Sequence, residues 1–216
     1  MIKAVLFDMD GTITDTMGYW EHYLSEYLRY KGIDPDPDVD EIAYTCSFAE
    51  CRDILSSRYG LDMQFSELSR DVNTFISKKY QSPEPLKPGA KELVAALRER
   101  GYKTALATAS PRANIDRALK GYGLAEQFDA ISFSMNKGDP ESYLNVAKTL
   151  GVPPENCLVA EDQILTGKTV VKAGMKLMGV YDRVSVKLAG DMRPLCDIYF
   201  DDLSDTAAVL KAVESL

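Results

Sequence analysis

The sequence lacks the features of nucleic-acid-binding and membrane proteins. Its 216 residues include no block rich in lysine and arginine, and 33 acidic against 25 basic residues give a net charge of −8. Because an acidic chain repels phosphate backbones and anionic lipid surfaces, we expect no nucleic acid and no membrane among its partners. No run approaches the roughly 18 apolar residues of a membrane span, and no basic and then apolar leader opens the chain. We therefore expect a soluble, cytoplasmic protein.

Cysteine and histidine are also scarce. The four cysteines, at positions 46, 51, 157 and 196, form no C-x-x-C pair and no metal-ligand spacing. This pattern is typical of small buried thiols in a reduced chain. The one histidine, His22, is interpreted as a surface or packing residue.

What the sequence does contain is a pair of aspartates at the end of a short apolar run. The run Ala4–Phe7 is too short for a helix and predicts a buried strand that ends before Gly11. Asp8 and Asp10 follow the run two residues apart, so their side chains leave the strand on the same side. Two like charges held that close are costly unless a cation joins them. A divalent metal is the obvious cation, and the end of a strand is where α/β sheets bind ligands.

The segment after these acids is helical in its patterning. Aromatic and apolar residues recur with the spacing of an amphipathic helix over residues 19–28, and Asp15 or Thr16 can cap that helix. A second helix is predicted over residues 47–59, opened by the S-x-x-E pattern of a capping box, and a third over residues 66–80. No strand pattern interrupts the segment, so we predict an all-helical insert of three or four helices.

The rest of the chain alternates short apolar runs with helical segments. Five further strands are predicted, at residues 103–108, 130–133, 157–160, 176–180 and 198–200. Strands that alternate with helices form βαβ units and a mostly parallel sheet with helices on both faces. We therefore predict an α/β fold. Its Rossmann-like, doubly wound core comprises residues 1–15 and 83–216, and an all-helical cap domain of residues 16–82 is inserted after the first strand.

Polar residues follow four of the predicted strands. Besides the two aspartates, they are Thr108-Ala109-Ser110, Asn136-Lys137 and Glu161-Asp162-Gln163. Right-handed crossovers place the carboxyl ends of parallel strands along one edge of a sheet, so we expect these groups to meet there. Together they offer several carboxylates, one ammonium group, and hydroxyls beside backbone N–H groups.

This set of groups suits phosphoryl transfer. Mg²⁺ prefers carboxylate oxygens together with substrate phosphate, while an ammonium, hydroxyls and N–H groups neutralise and orient the transferring group. One aspartate can attack phosphorus and form an aspartyl-phosphate. The second can protonate the leaving oxygen and later activate water. Ser110 is interpreted separately, as the N-cap of a helix that starts at Pro111.

The four polar motifs resemble, in order, those of the haloacid dehalogenase superfamily. The segment Asp8-Met9-Asp10-Gly11-Thr12-Ile13 is similar to its D-x-D-G-T/V nucleophile motif. Thr108 and Lys137 look like its second and third motifs, and Glu161-Asp162 like the paired acids of its fourth. The helical insert directly after the first motif, and the D-G-x-x-x-D-T run that ends at Thr16, resemble the β-phosphoglucomutase-like branch of that superfamily.

The resemblance implies a role for each matched residue. Asp8 would be the nucleophile and a metal ligand, and Asp10 the general acid and base, with its backbone carbonyl on Mg²⁺. Asp162 would be the remaining acidic metal ligand, and Glu161 a supporting or alternative one. The phosphate-holding groups would be Thr108, the Ala109 N–H and Lys137.

The chain departs from that branch at two positions of the insert. Where β-phosphoglucomutase-like mutases have a histidine on the first cap helix, this chain has Trp20. His22 lies two residues along, about 200° round the helix. The branch's cap arginine falls at or near Phe48. Because these groups help a mutase to hold and reorient a bisphosphate, their replacement favours a phosphatase that releases phosphate to water.

Four residues are candidates for contact with the substrate. Trp20, Tyr44 and Phe48 form either the core of the cap or an aromatic lining over the leaving group, which would favour an apolar or ring-bearing substrate. Gln163 stands where the branch has serine, and the glycine that follows comes one residue late, at Gly167. Gln163 is therefore expected near the substrate or the waters of the metal.

These observations predict a Mg²⁺-dependent phosphomonoesterase that acts on a small phosphorylated metabolite. One alternative is a β-phosphoglucomutase-like mutase of hexose phosphates. Another is a non-catalytic binding or regulatory protein that retains the fold, against which the intact set of catalytic residues argues. Neither the substrate nor the oligomeric state can be read from the sequence.

Overall fold

The computed structural model describes residues 1–46, 48–80 and 85–216, without the side chains of Phe48, Ala49 and Phe65. Six strands form one parallel sheet. In chain order they are β1 (Ala4–Phe7), β2 (Lys103–Ala107), β3 (Ala130–Ser132), β4 (Cys157–Glu161), β5 (Lys176–Val180) and β6 (Ile198–Phe200). Their order across the sheet is β3-β2-β1-β4-β5-β6, which confirms the predicted parallel α/β fold. None of the helices in the described residues is long and apolar enough to cross a membrane.

Eleven α-helices accompany these strands in the described part of the chain. Five follow β1 as a group, which we call the helical insert: α1 (Met17–Trp20), α2 (Tyr23–Tyr30), α3 (Val39–Thr45), α4 (Phe48–Tyr59) and α5 (Phe65–Ser77). The remainder are α6 (Ala90–Glu99), α7 (Arg112–Gly121), α8 (Pro140–Leu150), α9 (Ile164–Lys172), α10 (Arg183–Ala189) and α11 (Thr206–Glu214).

The sheet is buried on both faces because alternate strand residues belong to two separate apolar clusters. In β1, Val5 and Phe7 pack in one cluster with side chains of α6 and α11, while Ala4 and Leu6 pack in another with side chains of α8 and α9. All four β1 side chains are fully buried. A strand covered on both faces needs a continuous apolar run, which is what the four residues of β1 supply.

The strand order reverses at β1. β2 and β3 lie on one side of β1, and β4, β5 and β6 lie on the other. Phe7 pairs with Leu106 of β2 and with Ala160 of β4, and the Asp8 N–H donates to the Ala160 carbonyl at 3.0 Å. In open α/β sheets, ligands bind outside the carboxyl ends of the strands at such a reversal. Asp8 is the first residue beyond the strand at that point.

The first helix of the insert differs from the prediction. Instead of one continuous helix, the chain forms α1 and α2, with a break at Glu21. The Thr16 hydroxyl does not cap α1 but donates to the Asp10 carboxylate at 2.5 Å. At the break, the Glu21 carboxylate accepts hydrogen bonds from Arg183 (3.0 Å) and Lys187 (2.8 Å) of α10. The apolar spacing is alike in both pieces, so it could not reveal the break.

The insert also has five helices in its described residues, rather than the three or four predicted. Part of the difference is the α1–α2 break. The rest is α3, which follows an acidic, proline-broken connector and carries Asp40 and Glu41 in its first turn. Acidic side chains there interact favourably with the positive end of the helix dipole.

The other two helices of the insert lie close to their predicted bounds. α4 ends at Tyr59 as predicted, whereas its proposed capping residue, Ser47, lies outside the described residues. α5 begins one residue before Ser66, where the Gln64 N–H donates to the Glu67 carboxylate at 3.1 Å. α5 ends at Ser77, so residues up to Tyr80 lie beyond the helix.

The chain passes from the core into the insert and back again along two adjacent segments. The Asp15 N–H donates to the Pro85 carbonyl, and the Lys87 N–H donates to the Ile13 carbonyl, each at 2.8 Å. These bonds attach the insert directly beside the residues that follow β1. The predicted domain boundaries, the second of which lies outside the described residues, stay predictions.

Candidate active site

The site begins with a tight turn after β1 that requires glycine. Gly11 has a φ of +86°, in the left-handed region where a side chain is strained. A Cβ at this position would also overlap the Asp162 carboxylate and the side chain of Met17. Gly11 therefore makes the turn and leaves the space in which Asp162 can approach the first motif.

Three acids from two neighbouring strand ends meet beside this turn. Asp8, Glu161 and Asp162 are all buried, and one oxygen of each lies within 4.8 Å of one oxygen of the other two. The Lys137 Nζ lies 2.5 Å from the Asp8 Oδ1 and 2.5 Å from the Glu161 Oε1. Lys137 therefore contacts the predicted nucleophile and the first residue of the acid pair, and Asp162 lies close beside them.

Burial and charge together shape the titration of this group. Burial raises the pKa of the Asp8 carboxyl to about 8, the Lys137 ammonium opposes that shift, and the Glu161 and Asp10 carboxylates add to it. Burial lowers the pKa of Lys137, but Asp8 and Glu161 outweigh it and hold that pKa well above its usual value. Lys137 is therefore a permanent cation, and the ionised form of Asp8 would gain from a second one.

Glu161 is held at both of its carboxylate oxygens. Oε1 accepts from Lys137, while Oε2 accepts the backbone N–H groups of Asp162 and Gln163, each at 2.8 Å. These contacts fix Glu161 as a partner of the lysine and of the turn into α9. The arrangement suits the supporting role that the resemblance implied better than that of a freely available ligand.

Asp162 presents one free oxygen to the group. Its Oδ2 accepts the Ser185 hydroxyl at 2.5 Å, whereas its Oδ1 is buried and has no hydrogen-bond partner in the described residues. Burial and the neighbouring carboxylates of Glu161 and Asp8 raise the pKa of Asp162 well above its usual value. An unpaired, buried carboxylate oxygen beside like charges is what a cation would satisfy, so the residues present fit a metal ion.

Asp10 lies apart from the three acids and is surrounded by hydroxyl groups. Its Oδ1 accepts from Thr16 and from Tyr80, each at 2.5 Å, and its Oδ2 accepts from Ser110 at 2.7 Å. In the described residues, the acids placed to share a cation are Asp8 and the Glu161-Asp162 pair, without the Asp10 side chain. The expected metal contact through the Asp10 backbone carbonyl stays a prediction.

The predicted phosphate-holding groups lie at the ends of β2 and β3. Thr108 is fully buried and its Oγ1 accepts the Ser110 N–H at 3.0 Å, while Ala109 is exposed. The loop that carries Lys137 is tied to this turn, because the Met135 N–H donates to the Thr108 carbonyl at 2.9 Å. The second and third motifs are thus joined at the sheet edge.

Ser110 is not the helix cap that the sequence suggested. Pro111 occupies the N-cap of α7 with extended backbone angles, and the helix begins at Arg112. Because proline takes that place, the Ser110 hydroxyl is free to donate to Asp10.

The insert brings aromatic side chains to the Asp10 side of the site. The Trp20 Nε1 donates to the Tyr80 hydroxyl at 2.8 Å, and the ring of Tyr19 meets the Tyr80 ring edge-on, with centroids 5.3 Å apart. Tyr44 is buried, and its hydroxyl has no partner in the described residues. The side chain of Phe48 lies outside the described residues.

Three other residues of interest lie around this centre. The Gln163 side chain is half-buried at the N-cap of α9. A Cβ at Gly167 would lie 2.9 Å from the Leu177 side chain, so the displaced glycine lets α9 pack closely on β5. His22 is exposed, with its Nδ1 3.1 Å from the Asp40 carboxylate, as expected for a surface histidine.

Sequence patterns do not reveal four hydroxyl groups of the site. Thr16 and Ser110 stand at positions typical of helix caps, which is an equally good use of a hydroxyl beside a helix start. Tyr80 and Ser185 contact acids that lie 70 and 23 residues away in the chain. No local pattern signals contacts of that kind.

A family model for haloacid dehalogenase-like hydrolases matches residues 2–174. The chain belongs to that family. The expected superfamily, and with it the prediction of an enzyme of the hydrolase class, is confirmed.

A phosphomutase and a phosphatase are among the relatives of this haloacid dehalogenase-like hydrolase. The β-phosphoglucomutase of Bacillus subtilis (strain 168) is 30% identical over 196 residues, which is 83% of each chain. Hexitol phosphatase B of Escherichia coli (strain K12) is 27% identical over 174 residues, or 76% of each chain. Both lie in the range of similarity where a common fold is accompanied by different substrates.

The fold is also that of a solved structure. The β-phosphoglucomutase of Clostridium difficile superposes with a TM-score of 0.75, covering 100% of this chain and 98% of its own, at 24% identity. This likeness confirms the predicted fold class, a Rossmann-like α/β core accompanied by a helical insert.

Proposed function

We propose that this chain is a Mg²⁺-dependent phosphomonoesterase that acts on a small phosphorylated metabolite. The observation that carries the proposal is the contact of Lys137 with Asp8 and Glu161, beside an unpaired oxygen of Asp162. A separate aspartate, Asp10, lies two residues after Asp8 and is surrounded by hydroxyl groups. A nucleophile, an acid–base group and a phosphate-binding cation are the parts that transfer of a phosphoryl group to a carboxylate requires.

The carboxylates of Asp8 and Asp162 and the main-chain carbonyl of Asp10 would hold the metal ion, with Glu161 in support. Mg²⁺ suits this all-oxygen set better than a softer metal does. Bound there, it would neutralise the charge of the transferring phosphoryl group and stabilise the ionised form of Asp8.

The residues of the chain then divide the reaction into two steps. An oxygen of Asp8 attacks phosphorus, the bond to the ester oxygen breaks, and Asp10 gives that oxygen its proton. Water next attacks the aspartyl-phosphate while Asp10 takes up a proton, which releases inorganic phosphate and restores Asp8. Throughout, Thr108, the Ala109 N–H and Lys137 would hold the phosphoryl oxygens.

A phosphomutase that acts on a hexose phosphate is the second candidate, favoured by the 30% identity to the β-phosphoglucomutase of Bacillus subtilis. Retention of a bisphosphate needs polar or cationic groups in the insert. The only polar atom of Trp20, its indole nitrogen, already donates to Tyr80, and His22 is exposed and paired with Asp40. These contacts leave neither residue to bind a second phosphate, so we favour release of phosphate to water.

The insert would act as a cap over the site, with residues 16–82 as the cap domain. Trp20, Tyr44 and Phe48, together with Gln163 of the core, are our candidates for contact with the leaving group. An aromatic lining of this kind would exclude water from the first step and admit it in the second only when the cap opens.

A phosphate-release screen tests the proposal. Purified protein with Mg²⁺ is offered sugar phosphates, sugar alcohol phosphates, nucleotides and glycolytic acids, each with and without a chelator. We expect steady, chelator-sensitive release of inorganic phosphate from a subset of these. Conversion of β-glucose 1-phosphate to the 6-phosphate without release would instead establish the mutase. Absence of both activities would favour the non-catalytic alternative.

A further inference from the structure

Asp10 receives three hydroxyl donors, and one of them comes from the segment in which the chain returns from the helical insert. Thr16 lies six residues from Asp10, and Ser110 lies at the end of β2. Tyr80, by contrast, lies beyond the end of α5, at the return from the insert. Its hydroxyl reaches the Asp10 Oδ1 at 2.5 Å across 70 residues of sequence.

Trp20 supports this hydrogen bond from the other side of the Tyr80 hydroxyl. An indole N–H can only donate, so the Tyr80 oxygen accepts from Trp20 at 2.8 Å. The single proton of the Tyr80 hydroxyl is then available for Asp10. The chain of donors runs one way, from Trp20 to Tyr80 to Asp10.

The three donors are unevenly divided between the two oxygens of Asp10. Oδ1 accepts from both Thr16 and Tyr80, whereas Oδ2 accepts from Ser110 alone. A carboxylate has about two acceptor positions on each oxygen. Oδ1 is therefore saturated, and Oδ2 keeps one position for another group.

We propose that Tyr80 is a positioning residue that turns Oδ2 of Asp10 toward the leaving oxygen of the substrate, and that Trp20 holds Tyr80 for this purpose. The proposal rests on the acid–base role of Asp10 proposed above. Tyr80 contacts the Asp10 carboxylate and would act through it. Because Trp20 and Tyr80 stand at the two ends of the helical insert, the insert itself orients the proton donor.

The first experiment uses the leaving group as a readout. The Tyr80→Phe variant keeps the ring and its edge-on contact with Tyr19 but loses the hydroxyl. An alkyl phosphate needs a proton on its leaving oxygen, whereas p-nitrophenyl phosphate releases a stable anion without one. We expect kcat/KM, which reports the first chemical step, to fall by about 10-fold on the alkyl phosphate and by less than about 2-fold on p-nitrophenyl phosphate.

Tyr27→Phe is the matched control. Tyr27 is also a buried tyrosine of the insert, and its hydroxyl donates to an aspartate at 2.8 Å, but that aspartate is Asp71 and not Asp10. This variant should retain the kcat/KM of the parent on both substrates. Equal losses on both substrates in Tyr80→Phe would show a merely structural role and overturn the proposal.

The second experiment does not depend on turnover. Trp20 is the only tryptophan of the chain, so its fluorescence reports on its own hydrogen bond to Tyr80. We expect the emission maximum to shift in Tyr80→Phe, to shift less in Asp10→Asn, and to stay unchanged in Tyr27→Phe. An unchanged emission in Tyr80→Phe would refute the Trp20–Tyr80 contact even if no substrate were found.

Trp20→Phe provides an independent variant that removes the N–H donor and keeps an aromatic ring. It should show the same dependence on the leaving group as Tyr80→Phe, with a smaller loss of about 3-fold on the alkyl phosphate. Parent-like kcat/KM on that substrate would remove Trp20 from the proposal. If the parent protein released no phosphate at all, the proposed function would fail, while the fluorescence result would still decide the contact.

Discussion

The sheet edge and the helical insert contribute opposite kinds of chemistry to the site. From the sheet edge come charged groups in mutual contact, with Lys137 among Asp8, Glu161 and Asp162. From the insert come the neutral, aromatic donors Trp20 and Tyr80. In the proposed reaction, the sheet edge would therefore carry the charge of phosphoryl transfer, while the insert would orient one proton-carrying group and surround the leaving group.

Several charged residues of the insert form ion pairs. Lys31 pairs with Asp71, and Lys79 pairs with Glu26. Glu21 pairs with Arg183 and Lys187 and so joins the insert to α10 of the core. Such pairs shape the contact between the two regions and add little to the electrostatics of the buried acids.

The largest expected effect comes from removing the charge at the centre of the sheet edge. Asp8→Asn should reduce phosphate release by at least about 10³-fold, because an amide cannot serve as the nucleophile. Folding should be retained, since Lys137 keeps its contact with Glu161 and one of three crowded acids is gone. Phosphate release and the melting temperature are measured together. The exposed neighbour Asp15→Asn is the control, and activity of Asp8→Asn within 10-fold of the parent would contradict covalent catalysis.

Asp10 follows β1 at the sheet edge and accepts a hydrogen bond from Tyr80 at the return from the insert. A variant at Asp10 therefore measures the proton transfer to which both regions contribute. Asp10→Asn should lower kcat/KM on an alkyl phosphate by about 10²-fold or more, and far less on p-nitrophenyl phosphate. The ratio of the two losses is the quantity to compare with that of Tyr80→Phe. An equal loss on both substrates would assign Asp10 to structure instead of proton transfer.

A substitution in the tight turn at Gly11 tests whether the sheet edge depends on close packing. Gly11→Ala would strain a backbone with φ of +86° and press a methyl group against Asp162 and Met17. Gly32→Ala in the insert has a similar φ of +78° with nothing within 4 Å of its Cβ, so it isolates the backbone part. We expect about 1 kcal/mol of destabilisation for Gly32→Ala and at least about 1 kcal/mol more for Gly11→Ala. Equal losses of melting temperature would show that the overlap is relieved by small shifts.

Metal binding should stabilise the protein through the sheet edge alone. A ligand at ten times its dissociation constant stabilises the folded state by about 1.4 kcal/mol, so Mg²⁺ should raise the melting temperature by about 3–5 °C. Asp162→Asn should abolish the rise because it removes the free carboxylate oxygen, while Asp15→Asn should retain it. A rise that persists in Asp162→Asn would place the metal elsewhere.

The smallest effect is expected at the ion pair between the insert and the core. Hydrogen bonds from Lys187 and Arg183 lower the pKa of Glu21 from its usual value of 4.5 to about 2. Its contribution to stability is therefore complete above pH 4.5 and is lost as the pH falls toward 2. Glu21→Gln should lower the melting temperature by about 1–2 °C at pH 7, and the difference from the parent should shrink steadily between pH 4.5 and 2. If the difference in melting temperature between Glu21→Gln and the parent did not change with pH, the ionised Glu21 would not stabilise the protein through this contact.

Much of the sheet could be predicted because its rules are local. A four-residue apolar run stopped by polar residues and glycine is a strand, and parallel strands must place their carboxyl ends on one edge. These two rules are sufficient to predict that Asp8, Lys137 and the Glu161-Asp162 pair lie together. The insert was harder, because the periodicity that predicts helices does not show where one of them breaks, as at Glu21.

The strands, the charged residues at their ends and, through the order of the four motifs, the family follow from the amino-acid sequence. Each depends on neighbours within a few residues or on a general rule of parallel sheets. The contacts that hold those residues follow from the folded structure: Ser185 donates to Asp162, Ser110 and Thr16 donate to Asp10, and so does Tyr80, which accepts from Trp20. A hydroxyl or an indole carries no charge and follows no sequence spacing that predicts its hydrogen-bond partner. The packing of the folded chain alone determines that partner.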